Sequence, residues 1–113
     1  MNMTMNSIAN DKLDVEIKKN LPALINLLKL NGVKSAWLFG SAASANLDHE
    51  SDIDILVNLK DGLDPAQAGE NLWKLQENMV ELFNRNVDLL TERSIKNPFF
   101  KEEINKTRIK IYG

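Results

Sequence analysis

Two aspartates, Asp52 and Asp54, begin a short run of alternating residue types that is typical of a β-strand. Residues two apart on a strand point to the same face, about 6.6 Å apart, so Ile53, Ile55 and Val57 can be buried on the other face. Two carboxylates at that spacing repel by about 2.5 kcal/mol at an effective dielectric of 20. A divalent cation relieves this repulsion, and carboxylate oxygens suit Mg²⁺, which is commonly held by one or two carboxylates and substrate phosphates.

A glycine–serine pair, Gly40 and Ser41, lies between an apolar segment typical of a strand and a short predicted helix. Glycine lets the backbone approach a ligand closely, and the N–H groups of a helix start attract anions. A phosphate-binding turn beside paired carboxylates suggests a nucleoside triphosphate as the ligand. The alternative is a plain strand-to-helix turn with Ser41 as N-cap, next to an edge strand whose aspartates simply face water.

The pair Gly40-Ser41, the ten residues after it and Asp52-Ile53-Asp54 form a pattern that resembles the polymerase β-like nucleotidyltransferases. The resemblance is greatest to the minimal nucleotidyltransferases (MNT), which pair with HEPN-domain toxins, and it covers residues 33–90. It implies a third carboxylate on a later strand, and Asp88 in the segment 87–90 matches that position. Asp88 could also simply face water, since its role depends on its strand lying next to the strand of Asp54.

This resemblance implies transfer of a nucleotidyl group, AMP from ATP, to a hydroxyl on a partner protein, as the antitoxin of a HEPN/MNT pair. Asp52, Asp54 and Asp88 would be the catalytic and Mg²⁺-binding residues, with Asp88 either holding a second metal ion or taking the proton of the hydroxyl. The nucleotide would be bound by Gly40, Ser41 and Ser44.

The chain departs from the family pattern Gly-Ser-x-Ala-Arg-Gly, because Ser44 stands at the arginine position and Ala45 at the second glycine. A hydroxyl cannot make the bidentate bonds that a guanidinium makes to phosphate. Lys34, Lys60 and the basic segment 93–113 are the candidates to supply the missing charge. The alternative function is therefore a catalytically weak or inactive module that neutralises a partner by binding it. An antibiotic-modifying nucleotidyltransferase would need a further domain.

The order of local signals predicts an α/β (α+β) domain over residues 11–113, with a small mixed β-sheet flanked by helices, after a flexible segment 1–10. Pro22 predicts a break near Asn20 in the first helical segment, because proline inside a helix costs about 3 kcal/mol. Aspartate or asparagine followed by proline predicts helix starts at Asp64-Pro65 and Asn97-Pro98.

The composition of the 113 residues excludes several classes of protein. There is no cysteine, so disulfides and thiolate zinc sites are excluded, and a cytoplasmic location is expected. No apolar run is long enough for a membrane span. A net charge of −2 does not favour nucleic acid as a partner, whereas homo- or hetero-oligomers are compatible with it. His49 is expected in a solvated loop, and Trp37 and Trp73 in the core or against a partner.

Overall fold

The computed structural model describes residues 13–43 and 52–113 of the chain. Within these residues, the elements in order are α1 (Val15–Leu30), β1 (Val33–Phe39), a short 3₁₀ helix (Gly40–Ala43), β2 (Ile53–Leu59), α2 (Pro65–Phe83), β3 (Val87–Thr91), a second 3₁₀ helix (Glu92–Ser94), α3 (Pro98–Thr107) and β4 (Ile109–Tyr112). The predictions for the segment 1–10, for Ser44 and for His49 lie outside the described residues. None of the described helices is both long and apolar enough to cross a membrane.

The four strands form one mixed sheet in the order β3-β2-β1-β4. Strand β1 is antiparallel to both β2 and β4, whereas β2 and β3 are parallel and are connected through α2. A parallel pair needs such a crossover, because a tight turn can only join antiparallel strands. The predicted small mixed sheet with flanking helices is therefore confirmed.

The two faces of the sheet are buried to different extents. The main core contains alternate residues of the strands, among them Ile53, Ile55 and Val57, together with the apolar sides of α1 and α2. A smaller cluster on the opposite face consists of Phe39, Leu56 and Ile104 of α3. Because α3 covers only part of this second face, polar side chains at its edges remain accessible, and Asp52 and Asp88 are exposed there.

The predicted break in the first helix is wrong, since α1 is continuous from Val15 to Leu30 with Pro22 inside it. Buried residues on one side of the helix lie both before and after the proline, at Ile17, Leu21, Leu24 and Leu28. Because proline has no N–H group, Pro22 cannot donate a hydrogen bond to the carbonyl of Lys18, four residues earlier. Lys18 and Pro22 are both exposed, so water can satisfy that carbonyl. Burial of the apolar side offsets the cost of the proline.

Both predicted helix starts are confirmed. The Asp64 carboxylate accepts a hydrogen bond from the N–H of Gln67, and the Asn97 side chain caps the first turn of α3. Trp73, in contrast, is 68% exposed on α2 and does not belong to the core. Trp37 is half-buried beside the smaller cluster, with the Arg108 guanidinium carbon 4.5 Å from its ring centre.

Candidate functional site

Asp54 lies on the central strand of the site, between one residue of β1 and one residue of β3. It is in register with Phe39 on β1 and with Asp88 on β3. Neighbouring strands are about 4.8 Å apart, and residues in register point to the same face. The structure therefore brings Asp88 next to Asp54, which confirms the strand adjacency on which the role of Asp88 depends. Asp52 lies two residues before Asp54, immediately before β2 begins.

The Asp54 carboxyl is half-buried, unlike those of Asp52 and Asp88. Burial raises its pKa from 3.8 to about 6, and the negative charges of Asp88 and then Asp52 add to the effect. A raised carboxyl pKa means that the site disfavours a further negative charge. A bound cation would relieve this unfavourable potential.

Gly40 makes the closest backbone approach to Asp54. Its φ angle is +59°, and a Cβ atom at this position would lie 2.5 Å from Asp54 Oδ2. Real Cβ atoms do not come so close to another atom, and the left-handed conformation favours glycine. The strand-to-turn junction after Phe39 therefore requires glycine both for its backbone angle and for the space that the carboxylate occupies.

Ser41 follows in the exposed part of the 3₁₀ helix, and its hydroxyl forms no hydrogen bond to any residue that the structure describes. The neighbouring Ala42 is buried and anchors this turn on the core. A four-residue 3₁₀ helix carries little macrodipole, so an anion here would interact with individual N–H groups and the Ser41 hydroxyl. Phosphate binding by Gly40, Ser41 and Ser44 stays a prediction.

The acidic residues suit a metal ion whose ligands are completed by a substrate. In the described part of the chain, no three acidic or histidine side chains are gathered closely enough to hold a metal ion by themselves. Mg²⁺ usually takes one or two carboxylates together with phosphate oxygens and water, all of them oxygen ligands. Asp54 with either neighbouring aspartate meets that requirement, and the raised pKa of Asp54 fits a position that a cation would stabilise. The metal role of the three aspartates stays a prediction.

An aromatic wall, formed by Phe39 and Phe100, stands beside Asp54, and the exposed Phe99 precedes Phe100 on α3. Phe100 meets Phe39 edge-on, with ring centres 6.3 Å apart and ring planes at 75°. Phe99 is 82% exposed and Phe100 43% exposed. The sequence does not signal this wall, because it depends on α3 packing back over the end of β1.

A polar cluster occupies the same face of the sheet, further from the aspartates. Glu92 accepts hydrogen bonds from Asn58 Nδ2 at 2.7 Å and from Arg108 Nη1 at 2.8 Å. These two hydrogen bonds lower the pKa of the Glu92 carboxyl, and the bond from Asn58 has the larger effect. No local sequence signal identifies Glu92, because its partners lie 34 and 16 residues away along the chain.

Two of the proposed substitutes for the motif arginine lie away from the aspartates. Lys60 follows β2 six residues after Asp54, about 20 Å along the strand, and Lys34 lies near the same end of the sheet. In the basic segment 93–113, Arg108 is paired with Glu92, and Lys110 lies 5.9 Å from the centre of the Trp37 ring. A contribution of this segment to the missing charge stays a prediction.

Comparisons with known proteins agree with this geometry. The family model described as "Polymerase beta, Nucleotidyltransferase" matches residues 23–113. A protein of Methanocaldococcus jannaschii named as a putative protein adenylyltransferase is 38% identical over 77 residues, which are 68% of this chain and 75% of that protein. A second protein of the same name and organism is 35% identical over 97 residues, 85% of this chain and 95% of its own length.

Solved structures show the same fold. A toxin–antitoxin crystal structure with AMP-PNP has a TM-score of 0.66 and 27% identity, over 83% of this chain and 73% of that chain. A complex of a tri-AMPylated Shewanella oneidensis HEPN toxin with its MNT antitoxin has a TM-score of 0.59 and 26% identity, over 85% and 71% of the two chains. The resemblance inferred from Gly40-Ser41 and the aspartates is thus confirmed, and the chain belongs to the polymerase β-type nucleotidyltransferase family.

Proposed function

We propose that this protein transfers AMP from ATP to a hydroxyl of a HEPN-type partner protein and acts as the antitoxin of that partner. The observation that carries the proposal is the register of Asp54 with Asp88 on parallel strands, beside the close approach of Gly40. The relatives named as protein adenylyltransferases and the AMPylated HEPN toxin bound to an MNT antitoxin support the choice of reaction and of acceptor.

Each group of the site has a separate task in this reaction. The turn at Gly40 and Ser41 holds the phosphates, and Asp54 with Asp52 presents the carboxylate oxygens for Mg²⁺. A bound Mg²⁺ supplies charge stabilisation at the phosphate oxygens. The partner's hydroxyl oxygen forms a bond to the α-phosphorus. At the same time the bond breaks between the α-phosphorus and the oxygen that links it to the β-phosphate. Pyrophosphate leaves, and the exposed Asp88 carboxylate takes the hydroxyl proton.

The partner must reach into the site for this transfer. A near-attack geometry requires its hydroxyl within about 3–3.5 Å of the α-phosphorus. The exposed aromatic wall offers apolar area next to the carboxylates, and large exposed aromatic residues are typical of protein interfaces. We place the partner contact on the side of the site formed by Phe99 and Phe100.

The position of the label in ATP tests the reaction. The protein, Mg²⁺ and a HEPN-type protein that it binds are incubated with ATP labelled at the α-phosphate or at the γ-phosphate. The proposal predicts label on the partner only from the α position. Label from the γ position would mean phosphoryl transfer, and label on neither would contradict the enzymatic proposal.

A second candidate is a module that neutralises its partner by binding alone. It is favoured by the replacement of the motif arginine by Ser44 and by the location of Lys34 and Lys60 near the other end of the sheet. A partner that is silenced in a stable complex, with no label from α-labelled ATP, would establish this alternative.

A further inference from the structure

A cavity of about 600 Å³ lies at the end of the sheet that is remote from the aspartates. We call it the basal cavity and define it by Lys34, Leu59, Lys60, Asp61, Leu72 and Arg93, which all line it. It is bounded by the connection from β2 to α2, by the first turns of α2 and by the second 3₁₀ helix. Lys60 is separated from Asp54 by about 20 Å along β2. The basal cavity is therefore distinct from the candidate catalytic site.

Three cationic side chains and one acidic side chain are among the residues that line the basal cavity. Lys34, Lys60 and Arg93 are all exposed, and among the residues that the structure describes none of them forms an ion pair or a side-chain hydrogen bond. Glu92, next to Arg93, is ion-paired with Arg108 and accepts a further hydrogen bond from Asn58. Asp61 is the only acid among the described residues that line the cavity, so these residues carry an excess of positive charge in a chain whose net charge is −2.

The lining of the cavity is part apolar and part polar. Leu59, Leu63, Ala68 and Leu72 are half-buried there, and Asn58, Thr91 and Ser94 add neutral polar groups beside the cations. The volume of the cavity falls within the roughly 300–1,000 Å³ that is typical of small-molecule sites. The combination fits a ligand with an apolar or planar body and an anionic end.

The position of the cavity in the fold separates it from the aspartates. Leu59 ends β2 and Thr91 ends β3, the two parallel strands, and both residues line the cavity. The candidate catalytic aspartates occupy the opposite, amino-terminal ends of the same two strands.

We propose that the basal cavity binds a small organic phosphate of nucleotide size, with Lys34, Lys60 and Arg93 holding its phosphate and the leucines its body. Arginine binds phosphate through a planar fork and lysine through a compact charge, so the set suits phosphate better than a single carboxylate. This site goes beyond the proposed transfer reaction and does not depend on it.

Nuclear magnetic resonance of the ¹⁵N-labelled full chain tests the proposal. AMP is titrated without divalent metal ions, to about millimolar concentration, with adenosine and inorganic phosphate as comparison ligands. The proposal predicts shifts of the amides at Lys60, Gly62 and Thr91, and tighter binding of AMP than of either comparison ligand. No shifts at these amides, with or without shifts at Gly40 and Asp54, would overturn it. Equal binding of adenosine or of phosphate would overturn it as well.

Single charge changes provide the second part of the test. Lys60→Gln and Arg93→Gln should each weaken AMP binding roughly three- to tenfold, and Asp61→Asn should tighten it, because each alters a charge facing the phosphate. Lys18→Gln makes the same charge change at an exposed position on α1 and should change affinity by less than about twofold. An equal loss in Lys18→Gln would overturn the proposal. Tighter binding of a short glutamate peptide than of AMP would do so too, in favour of a protein segment.

Discussion

Gly40 and Asp54 approach so closely that any side chain at Gly40 would displace the carboxylate. A Cβ atom at Gly40 would lie 2.5 Å from Asp54 Oδ2, because Gly40 directly follows Phe39, the β1 residue in register with Asp54. The turn proposed to hold phosphates and the carboxylate proposed to hold Mg²⁺ are thus in direct contact. A substitution in the turn must therefore also affect the carboxylate.

We expect Gly40→Ala to abolish Mg²⁺-dependent ATP binding. It should also lower the free energy of unfolding by about 1–2 kcal/mol, because alanine is strained in the left-handed backbone conformation. Isothermal titration calorimetry measures the first effect and urea unfolding the second. Gly62→Ala is the control, because Gly62 also has a positive φ angle, of +91°, but a Cβ there meets no atom within 4 Å. It should lose stability and keep the Mg²⁺-dependent part of ATP binding. Equal ATP affinity in Gly40→Ala and the unaltered protein would refute the role of this contact.

The burial of Asp54 makes stability depend on pH. The pKa of Asp54, about 6, lies above the value of 3.8 in an unfolded chain. The contribution of this carboxyl to the free energy of unfolding is therefore fully present below pH 3.8 and is lost as the pH rises through 6. We expect Asp54→Asn to have little effect near pH 4 and to stabilise the protein by about 1–2 kcal/mol near pH 8, after allowance for solvent screening. Urea unfolding across this range measures the change.

Asp61→Asn is the control for this pH series, because Asp61 is exposed in the turn after β2. This variant makes the same carboxyl-to-amide change at an exposed position and so separates the effect of burial at Asp54 from that of the substitution itself. A difference between Asp54→Asn and the unaltered protein that does not vary with pH would show that the Asp54 carboxyl titrates as it does in the unfolded chain.

The aromatic wall predicts where the partner binds. Phe99→Ala should leave the free energy of unfolding within about 0.5 kcal/mol, because the side chain is 82% exposed. It should weaken binding of the HEPN-type partner roughly tenfold, as expected for an aromatic residue at the centre of an interface. Trp73→Ala removes a second exposed aromatic residue, on α2, and should have no effect on binding. The opposite pattern would place the interface on α2.

The departure at Ser44 gives a gain-of-function prediction. Ser44→Arg should tighten ATP binding about tenfold to a hundredfold, because a guanidinium makes charge-assisted bonds of roughly 1.5–3 kcal/mol to phosphate. Ser44→Lys adds the same charge without the planar fork and should gain less. Calorimetry with Mg²⁺ and ATP compares the three proteins. Unchanged affinity in both variants would mean that the triphosphate site does not need this charge.

Local sequence signals predicted the elements of this fold well. The caps at Asp64 and Asn97, the proline after each of them and the alternation of residue types along β2 are all set by neighbouring residues. The break at Pro22 was predicted wrongly, because only the packing of apolar residues on both sides of it keeps α1 continuous. The core alternative for Trp73 was wrong for a similar reason, since burial depends on which side of α2 meets the sheet, and the alternative of packing against a partner stays a prediction.

The candidate site was predicted in part. The spacing of Asp52 and Asp54 placed them on one face, but only the parallel pairing of β2 with β3 brings Asp88 alongside. The close approach of Gly40 to Asp54 and the raised pKa of that carboxyl arise from contacts between strands, which no local pattern encodes. The hydrogen bonds of Glu92 likewise join segments far apart in the chain.

The central claim, transfer of AMP to a partner, is tested most directly by the intact mass of the HEPN-type partner after incubation with this protein, ATP and Mg²⁺. We predict one or more added AMP groups, lost with Asp88→Asn and retained with Asp61→Asn. A partner of unchanged mass in the presence of the unaltered protein, under conditions in which the two proteins bind each other, would contradict the claim.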